Sequence, residues 1–123
     1  MKNALLNQSI THILLKCQLS PTMIGFDYIR DVVEKCCTND IEFQKLVGTA
    51  YKEVAKQQKS SSDQVDKRIR AVLADAQSRK GFLAMNEYFD EVVYSGEKNL
   101  APREAISFLV EMSKLEFAKR CNI

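Results

Sequence analysis

Residues 51–80 form the segment whose residue types and spacing could do chemistry. The segment carries eight Lys and Arg side chains against four Asp and Glu side chains, a local net charge of +4, whereas the remaining residues carry ten positive and twelve negative side chains. Concentrated positive charge of this kind attracts polyphosphate partners. The segment therefore predicts a surface that binds nucleic acid.

Residues 62–79 within this segment predict a helix with one apolar and one polar face. A helix fits the major groove of B-DNA, and polar side chains on it can reach the base edges there. The residues expected to face the core recur at helical spacing: Val65, Ile69, Val72, Leu73 and Ala76. The residues expected to face outward, and so to touch a partner, are Gln64, Asp66, Lys67, Arg70 and Ala71.

A polar turn precedes this helix and follows another predicted helix that ends near residue 58. Ser61 and Gln64 have the spacing of a capping box, and Ser60 and Ser62 flank the predicted cap. The free amides and the dipole at a helix N-terminus attract phosphate groups. The turn therefore predicts phosphate contacts beside the outward face of the second helix.

The two helices and their turn match a helix-turn-helix only in part. Val54, Ala55 and Val65 stand where that motif has apolar or small residues. Lys59, however, replaces the usual turn glycine, and Arg68 stands where an apolar residue is normal. The pattern is thus compatible with a helix-turn-helix but is not sufficient to establish one.

The competing interpretation is a solvated helix face that binds nothing. In that case Asp63 with Lys67, or Asp66 with Arg70, pair along the helix at four-residue spacing and contribute only about 0.2–0.5 kcal/mol each. From the pattern alone both interpretations remain open.

The rest of the chain offers little for catalysis, and we predict no enzyme, no catalytic residue, no metal site and no cofactor. The single histidine, His12, lies in an apolar helical pattern without the neighbours that nucleophile, phosphate or zinc motifs require. The four cysteines lack zinc-ribbon spacing. Cys17 and Cys36 fall on apolar helical faces, where we expect them to pack as small hydrophobic side chains.

Length and composition predict a single all-α domain over residues 1–123. The chain has only four Gly and two Pro, and its apolar spacing indicates a compact bundle of about six helices. Besides residues 62–79, we expect helices over residues 3–18, 21–37 with Ser20 as cap, 39–58 with Asn39 as cap, 83–89 and 102–119. No apolar run approaches the roughly 20 residues that cross a bilayer, so we expect a cytoplasmic protein with no membrane partner.

An ordered set of residues across the chain resembles the C-terminal effector domain of the stage-zero sporulation response regulator, the transcription master switch of spore-forming bacteria. The resemblance extends from Ile10 through the last predicted helix. The matching residues are Ile10, Thr11, Gly25, Tyr28, Arg30, Asn39, Asp40, Ile41, Glu42, Ala55, Val65, Ile69, Arg70, Ser78 and Arg79.

The resemblance implies an all-α, helix-turn-helix DNA-binding domain that catalyses no reaction and whose fourth helix is the recognition helix. Its implied partners are double-stranded DNA, a second copy bound head-to-tail on tandem sites, and RNA polymerase. The implied base-reading residues are Gln64, Asp66, Lys67 and Arg70, and the turn that approaches phosphates contains Ser60, Ser61 and Ser62. Charge alone adds Arg79 and Lys80 as candidates for phosphate contacts.

The departures from the family pattern keep an alternative function open. The family commonly has arginine where Gln64 and Lys67 stand, and lysine offers a point charge where arginine offers a fork that matches guanine. The alternative is a helical protein-interaction module with the same fold that has lost specific DNA recognition. Nothing in the sequence resembles the receiver domain that precedes this domain in the family, so the chain is either part of a longer regulator or a stand-alone relative.

Overall fold

The computed structural model describes residues 3–38 and 43–122, and every regular element in this part of the chain is helical. This confirms the prediction of an all-α bundle of about six helices. The short helix predicted over residues 83–89 is divided into a 3₁₀ turn, Gly81–Leu83, and an α-helix. The α-helices are α1 (Ala4–Lys16), α2 (Ile24–Cys37), α3 (Phe43–Gln57), α4 (Ser62–Ser78), α5 (Ala84–Phe89) and α6 (Pro102–Cys121).

The core lies between α2 and the helices that surround it. Helix α2 contacts α1, α3, α4 and α6, and α6 also packs along α1. Ile29 of α2, Ile69 of α4 and Leu109 of α6 are fully buried. Burying such a side chain contributes about 1.5–3 kcal/mol, so α3 and α4 are held against the bundle by the same apolar surface that holds the bundle together.

Helix α2 begins later than its sequence pattern predicts. Ser20 with Pro21 had the pattern of a helix start, but the first helical residue is Ile24 and Met23 takes the cap position. The Ser20 and Thr22 hydroxyls are 2.9 Å apart, and the Met23 amide donates to the Ser20 carbonyl at 3.2 Å. The prediction was wrong because local hydrogen bonds of Ser and Thr competed with helix formation.

The backbones of α2 and α4 touch at Gly25. A Cβ atom placed on Gly25 would lie 2.1 Å from the carbonyl oxygen of Arg68. A side chain of any size is therefore excluded, and the two helices approach more closely than side-chain packing allows. Gly48 in the middle of α3 is the opposite case, since a Cβ atom there would have nothing within 4 Å.

Helix α3 ends in a Schellman motif built on a lysine. The Ser60 amide donates to the Ala55 carbonyl at 2.8 Å, and the Lys59 amide donates to the Lys56 carbonyl at 3.3 Å. Lys59, the residue directly before Ser60, has a φ of 53°. This left-handed conformation is the one for which glycine is usually required. The turn between α3 and α4 therefore keeps the geometry of a glycine turn although its residue has a side chain.

The cap predicted for α3 lies outside the described residues, and only part of the apolar face of α3 is described. Asn39 and Glu42 lie outside the described residues, and so do the side chains of residues 43–47. In the described part of α3, Ala50 and Val54 are buried and Tyr51 is half-buried. The described part of α3 therefore turns an apolar face to the core.

The internal cysteines are held in the uncharged thiol form. Cys17 and Cys36 are buried, as predicted. Burial raises the pKa of Cys17 to about 12, the pKa of Cys36 to about 11 and the pKa of Cys37 to about 12. Since the thiolate is the reactive form, these three residues are poor nucleophiles near neutral pH. Cys121, by contrast, is exposed at the end of α6.

Alanine substitutions at Gly25 and at Gly48 should change the free energy of unfolding in opposite directions. Gly25→Ala forces α2 away from α4 and should destabilise the protein by about 1–3 kcal/mol. Gly48→Ala enters open space and removes a flexible residue from a helix interior, so it should stabilise by about 0.5–1 kcal/mol. Urea unfolding of both variants beside the wild type measures the difference. Equal stability of Gly25→Ala and the wild type would contradict the close approach of the helices.

Lys59→Gly should stabilise the protein by up to about 1 kcal/mol, because glycine adopts the left-handed conformation without the steric cost that a side chain brings. The matched control is Lys52→Gly, a substitution at an exposed position within α3. It should lower the free energy of unfolding by about 1 kcal/mol. Thermal and urea unfolding report both changes. If Lys59→Gly loses as much stability as Lys52→Gly, the assigned turn geometry is wrong.

Iodoacetamide at pH 8 should label Cys121 rapidly and leave the other three thiols unmodified until the protein is unfolded. The raised pKa values of the internal thiols and their burial both slow the reaction. Intact-mass measurement over time counts the labels, and peptide mapping locates them. Labelling of Cys37 at the rate of Cys121 would show that the α2 end is more open than described.

Candidate nucleic-acid interface

Helix α4 carries the predicted division into a buried and an exposed face. Val65, Ile69, Val72, Leu73 and Ala76 are all buried, which confirms the predicted inward set. On the opposite side Gln64, Lys67, Arg70 and Ala71 are exposed, and Asp66 is partly exposed. The polar side of α4 therefore lies at the protein surface and is available to a partner.

The start of α4 is fixed by Ser61, as predicted. The hydroxyl of Ser61 accepts a hydrogen bond from the Gln64 amide at 3.2 Å. Ser62 is the first helical residue, and Ser60 precedes the cap with its amide bonded back to α3. The three serines thus surround a helix N-terminus, where backbone amides without helical partners are concentrated.

Asp66 and Arg70, two of the predicted base-reading residues, are bonded to each other. Nε of Arg70 lies 2.8 Å from Oδ2 of Asp66, and the side chains are 61% and 39% exposed. The hydrogen bond that Arg70 donates to the Asp66 carboxylate raises the pKa of Arg70 above its usual value. An exposed pair of this kind is worth only about 0–1 kcal/mol, so it orients the guanidinium but yields readily to a stronger anion.

Arg68 is exposed on the other flank of α4. Residues two positions apart are about 200° apart around a helix, so Arg68 and Arg70 lie on opposite sides of the face that contains Lys67. Among the residues that the structure describes, neither Arg68 nor Lys67 has an assigned ion-pair partner. The outward face is consequently positive at Lys67 and along the Arg68 edge, whereas on the other edge the charge of Arg70 is paired with that of Asp66.

Arg79 and Lys80 lie at the far end of α4 and already have partners. Arg79 pairs with Asp75 at 2.8 Å and donates to the carbonyl oxygen of Gln18. Nζ of Lys80 donates to the Gly96 carbonyl at 2.8 Å. A helix of 17 residues is about 25 Å long. The structure therefore separates these two cations from the serines and base-reading candidates at the start of the helix.

A cleft of about 380 Å³ adjoins the Arg70 side of α4. It lies between α3, α4 and the start of α6, and we refer to it as the α6 cleft. Its lining residues are Gly48, Tyr51, Asp66, Arg70, Ala101, Pro102 and Arg103. Burial, together with the nearby Asp66 carboxylate, raises the pKa of Tyr51 to about 12, so its hydroxyl keeps its proton and can donate a hydrogen bond.

The start of α6 is fixed beside α4 by hydrogen bonds. Gln77 of α4 accepts from the Leu100 amide at 2.6 Å and donates to the Leu100 carbonyl at 3.2 Å. The Glu104 carboxylate accepts from the Ala101 amide at 3.0 Å. Arg103 is exposed at this position. Arg103 was not among the residues predicted from the sequence, because it lies far from α4 along the chain and only tertiary contacts bring it there.

The described residues contain neither a metal centre nor a membrane span. No group of three His, Cys, Asp or Glu residues within residues 3–38 and 43–122 is arranged to hold a metal ion. His12 is exposed on α1. In the same part of the chain, no helix is both long enough and apolar enough to cross a bilayer.

Comparison with known proteins agrees with this arrangement of helices. Residues 10–113 match the family model described as Sporulation initiation factor Spo0A C terminal. Searches of the curated proteins and of the solved structures found no match. The family match spans most of the chain and confirms the resemblance seen in the sequence. The protein therefore belongs to the Spo0A C-terminal family, the all-α DNA-binding effector domains of sporulation initiation.

Proposed function

We propose that this protein is a sequence-specific DNA-binding domain that regulates transcription at sporulation initiation, with α4 as the recognition helix. The observation that carries the proposal is the exposed polar face of α4, which stands at the surface directly after a tight turn. Helix α3 and the apolar side of α4 hold this face outward. The major groove of B-DNA is about 12 Å wide and admits one α-helix.

The side chains on this face match the chemistry of base edges. Arg70 has the fork that binds guanine O6 and N7, Gln64 can pair with adenine N6 and N7, and Asp66 can accept from cytosine N4. In the protein without DNA, Asp66 holds the Arg70 guanidinium at 2.8 Å. We expect guanine to replace Asp66 as the partner of Arg70, and Lys67 to add a point charge beside it.

Phosphate contacts around the recognition helix complete the proposed interface. Ser60, Ser61 and Ser62 lie at the start of α4, where a phosphate is favoured by the helix dipole and by unpaired amides. Arg79 and Lys80 remain proposed contacts at the other end. Since both already bind carbonyl oxygens of the chain, a phosphate would have to share or replace those hydrogen bonds.

A protein-interaction function is the second candidate, and one surface favours it. Phe89, Val93 and Phe108 line a groove of about 360 Å³ that also has Glu91 and Glu111 along it. Apolar side chains beside carboxylates suit a protein with a basic, apolar segment. RNA polymerase and a second copy on tandem sites remain the predicted protein partners. This function is compatible with DNA binding and replaces it only if DNA recognition is lost.

Binding-site selection from random duplexes tests the proposed function. We expect the wild type to enrich one motif and Arg70→Ala to lose about 1–3 kcal/mol of binding free energy on it, with a much smaller loss on random duplexes. Arg70→Lys keeps the charge but not the fork, so it should fail to restore base preference. Lys114→Ala, which removes an exposed charge from α6, is the control.

Equal losses for Arg70→Ala on the selected and random duplexes would remove its base-reading role. A wild type that binds DNA in a salt-sensitive way but enriches no motif would contradict specific recognition and leave the protein-interaction function as the better proposal. Quantitative gel shifts at one fixed salt concentration make the comparisons valid, because affinities for DNA depend strongly on salt.

A further inference from the structure

A row of lysines lies on the outer face of α3 and ends at the turn into α4. Lys52 and Lys56 are four residues apart and therefore share one face of the helix, and Lys59 follows in the turn. All three side chains are exposed. We refer to Lys52, Lys56 and Lys59 as the α3 lysine row. None of these lysines belongs to the proposed contacts of α4 and its serine turn.

The α3 lysine row has no acidic partner in the part of the chain that the structure describes. No carboxylate there lies within ion-pair distance of any of the three lysines. Glu53, the one acidic residue between Lys52 and Lys59 in the sequence, instead lies 3.2 Å from Nζ of Lys35 on α2. Asp63, the next acidic residue along the chain, is in the first turn of α4. The three ammonium groups are therefore available to an anion from outside the protein.

The row does not stabilise the folded chain by itself. Like charges four residues apart on a helix repel each other and destabilise it, and this applies to Lys52 and Lys56. Lys59 has a left-handed φ of 53°, a conformation that glycine adopts at lower cost. A polyanion beside the row would be attracted by all three charges at once. A ligand therefore explains the row better than folding does.

The row lies beside the proposed recognition face. Gly48, four residues before Lys52, is on the same face of α3 and lines the α6 cleft together with Arg70 of α4. At its other end the row reaches Lys59, two residues before the Ser61 cap of α4. The α3 lysine row therefore runs from the Arg70 side towards the N-terminus of α4, alongside the first half of that helix.

A DNA duplex supplies anions at this place when α4 occupies the major groove. In a helix-turn-helix the second helix enters the groove and the first helix crosses the backbone. Lys52 and Lys59 are separated by about 10 Å along α3 and its last turn at 1.5 Å per residue, and duplex DNA carries one negative charge per about 1.7 Å of its axis. The row is thus long enough to face more than one phosphate, and lysine suits a phosphate as a flexible point charge.

We propose that the α3 lysine row binds backbone phosphates of the DNA at the edge of the groove that α4 enters. This inference rests on the proposed function of α4 but concerns side chains of the preceding helix and its last turn. Because a phosphate carries no base identity, the row contributes affinity and position without sequence preference.

The first experiment removes two charges of the row with glutamine, whose helix propensity is close to that of lysine. Lys52→Gln with Lys56→Gln is compared with Lys98→Gln with Lys114→Gln, a double change of the same charge at exposed positions outside α3 and α4. Affinities for the selected duplex and for a random duplex are measured between about 50 and 300 mM salt. The row variant should weaken both complexes by the same factor, on the order of tenfold or more at about 100 mM salt, and reduce the slope of log K against log salt by about 1.8, which is about 0.9 for each contact.

The control variant should keep the wild-type affinity and slope. Lys52→Arg with Lys56→Arg should keep them as well, because it retains both charges. If the glutamine row variant has the slope of the control, α3 contacts no phosphate and the proposal is overturned. A loss confined to the selected duplex would overturn it too, since the lysines would then read bases. An equal loss in the arginine variant would have the same consequence, because charge would not be its cause.

Lys59→Gly separates binding from stability at the α4 end of the row. Glycine relaxes the left-handed turn, so this variant should unfold at a higher urea concentration than the wild type. It should nevertheless bind both duplexes more weakly and lower the salt slope by about 0.9. A wild-type slope for Lys59→Gly would overturn the phosphate contact at this end of the row.

Ethylation of single phosphates in the selected duplex identifies the contacts of the row. Ethylation removes the charge of one phosphate, so it should weaken wild-type binding at the phosphates next to the row. At those positions it should have no further effect on Lys52→Gln with Lys56→Gln, whereas the control with Lys98→Gln and Lys114→Gln should show the wild-type pattern. Identical patterns for the row variant and the wild type would contradict the proposal.

These measurements separate this inference from the proposed function. If the wild type selects no motif and the glutamine row variant still lowers the salt slope on random duplexes, base reading by α4 fails and the phosphate contacts of α3 stand. If the wild type selects a motif and the row variant matches its control, base reading stands and the phosphate contacts fail.

Discussion

The contact between the α2 and α4 backbones determines which side of α4 faces outward. Gly25 brings α2 so close to the Arg68 carbonyl that no Cβ atom fits between them. A second contact of the same kind follows α4, where a Cβ on Gly81 would lie 2.0 Å from the Cys17 carbonyl. Together the two contacts restrain rotation and sliding of α4. The exposed polar face is thus a consequence of backbone packing as well as of apolar periodicity.

Helices α1, α3, α4 and α5 are each followed by a non-glycine residue in the left-handed conformation. Gln18, Lys59, Lys80 and Asp90 have φ values between 53° and 64°. Each such residue costs about 1 kcal/mol relative to a relaxed backbone, and tertiary packing on both sides must compensate. At Lys59 the compensation comes from the buried faces of α3 and α4. The turn between α3 and α4 is therefore stabilised by the packing of the two helices. This packing explains how the helix-turn-helix tolerates Lys59 in place of the usual glycine.

The sequence predicted the features that depend on local pattern. The bounds of α4, its buried face and the Ser61 cap follow from residue spacing and cap chemistry, and the structure confirms them. The predicted start of α2 was wrong, because a hydrogen bond between Ser20 and Thr22 competed with the expected cap. Helical periodicity carries no information about such local competition.

Contacts between residues that are distant along the chain could not be predicted from the sequence either. Arg79 and Lys80 looked like free cations in the sequence, yet their hydrogen bonds go to the carbonyls of Gln18 and Gly96, which are distant along the chain. Arg103 was missed for the converse reason, since its place beside α4 results from the Gln77 and Leu100 hydrogen bonds. Charge counts describe a segment, whereas the partners of each charge are set only by the tertiary fold.

Under the proposed function, the Asp66 carboxylate at the edge of the α4 face has a physical use. In the proposed interface, Asp66 would repel phosphate and so oppose binding of the α4 face to the DNA backbone in a wrong register. At the same time it holds the Arg70 guanidinium by an exposed bond that is weak enough to exchange. In the proposed mode of binding, affinity would come from the cations that flank this face, and discrimination from the polar side chains of α4. If affinity and discrimination reside on different residues, as we propose, changes at Gln64 and Lys67 would alter the preferred DNA sequence without weakening contacts to the DNA backbone.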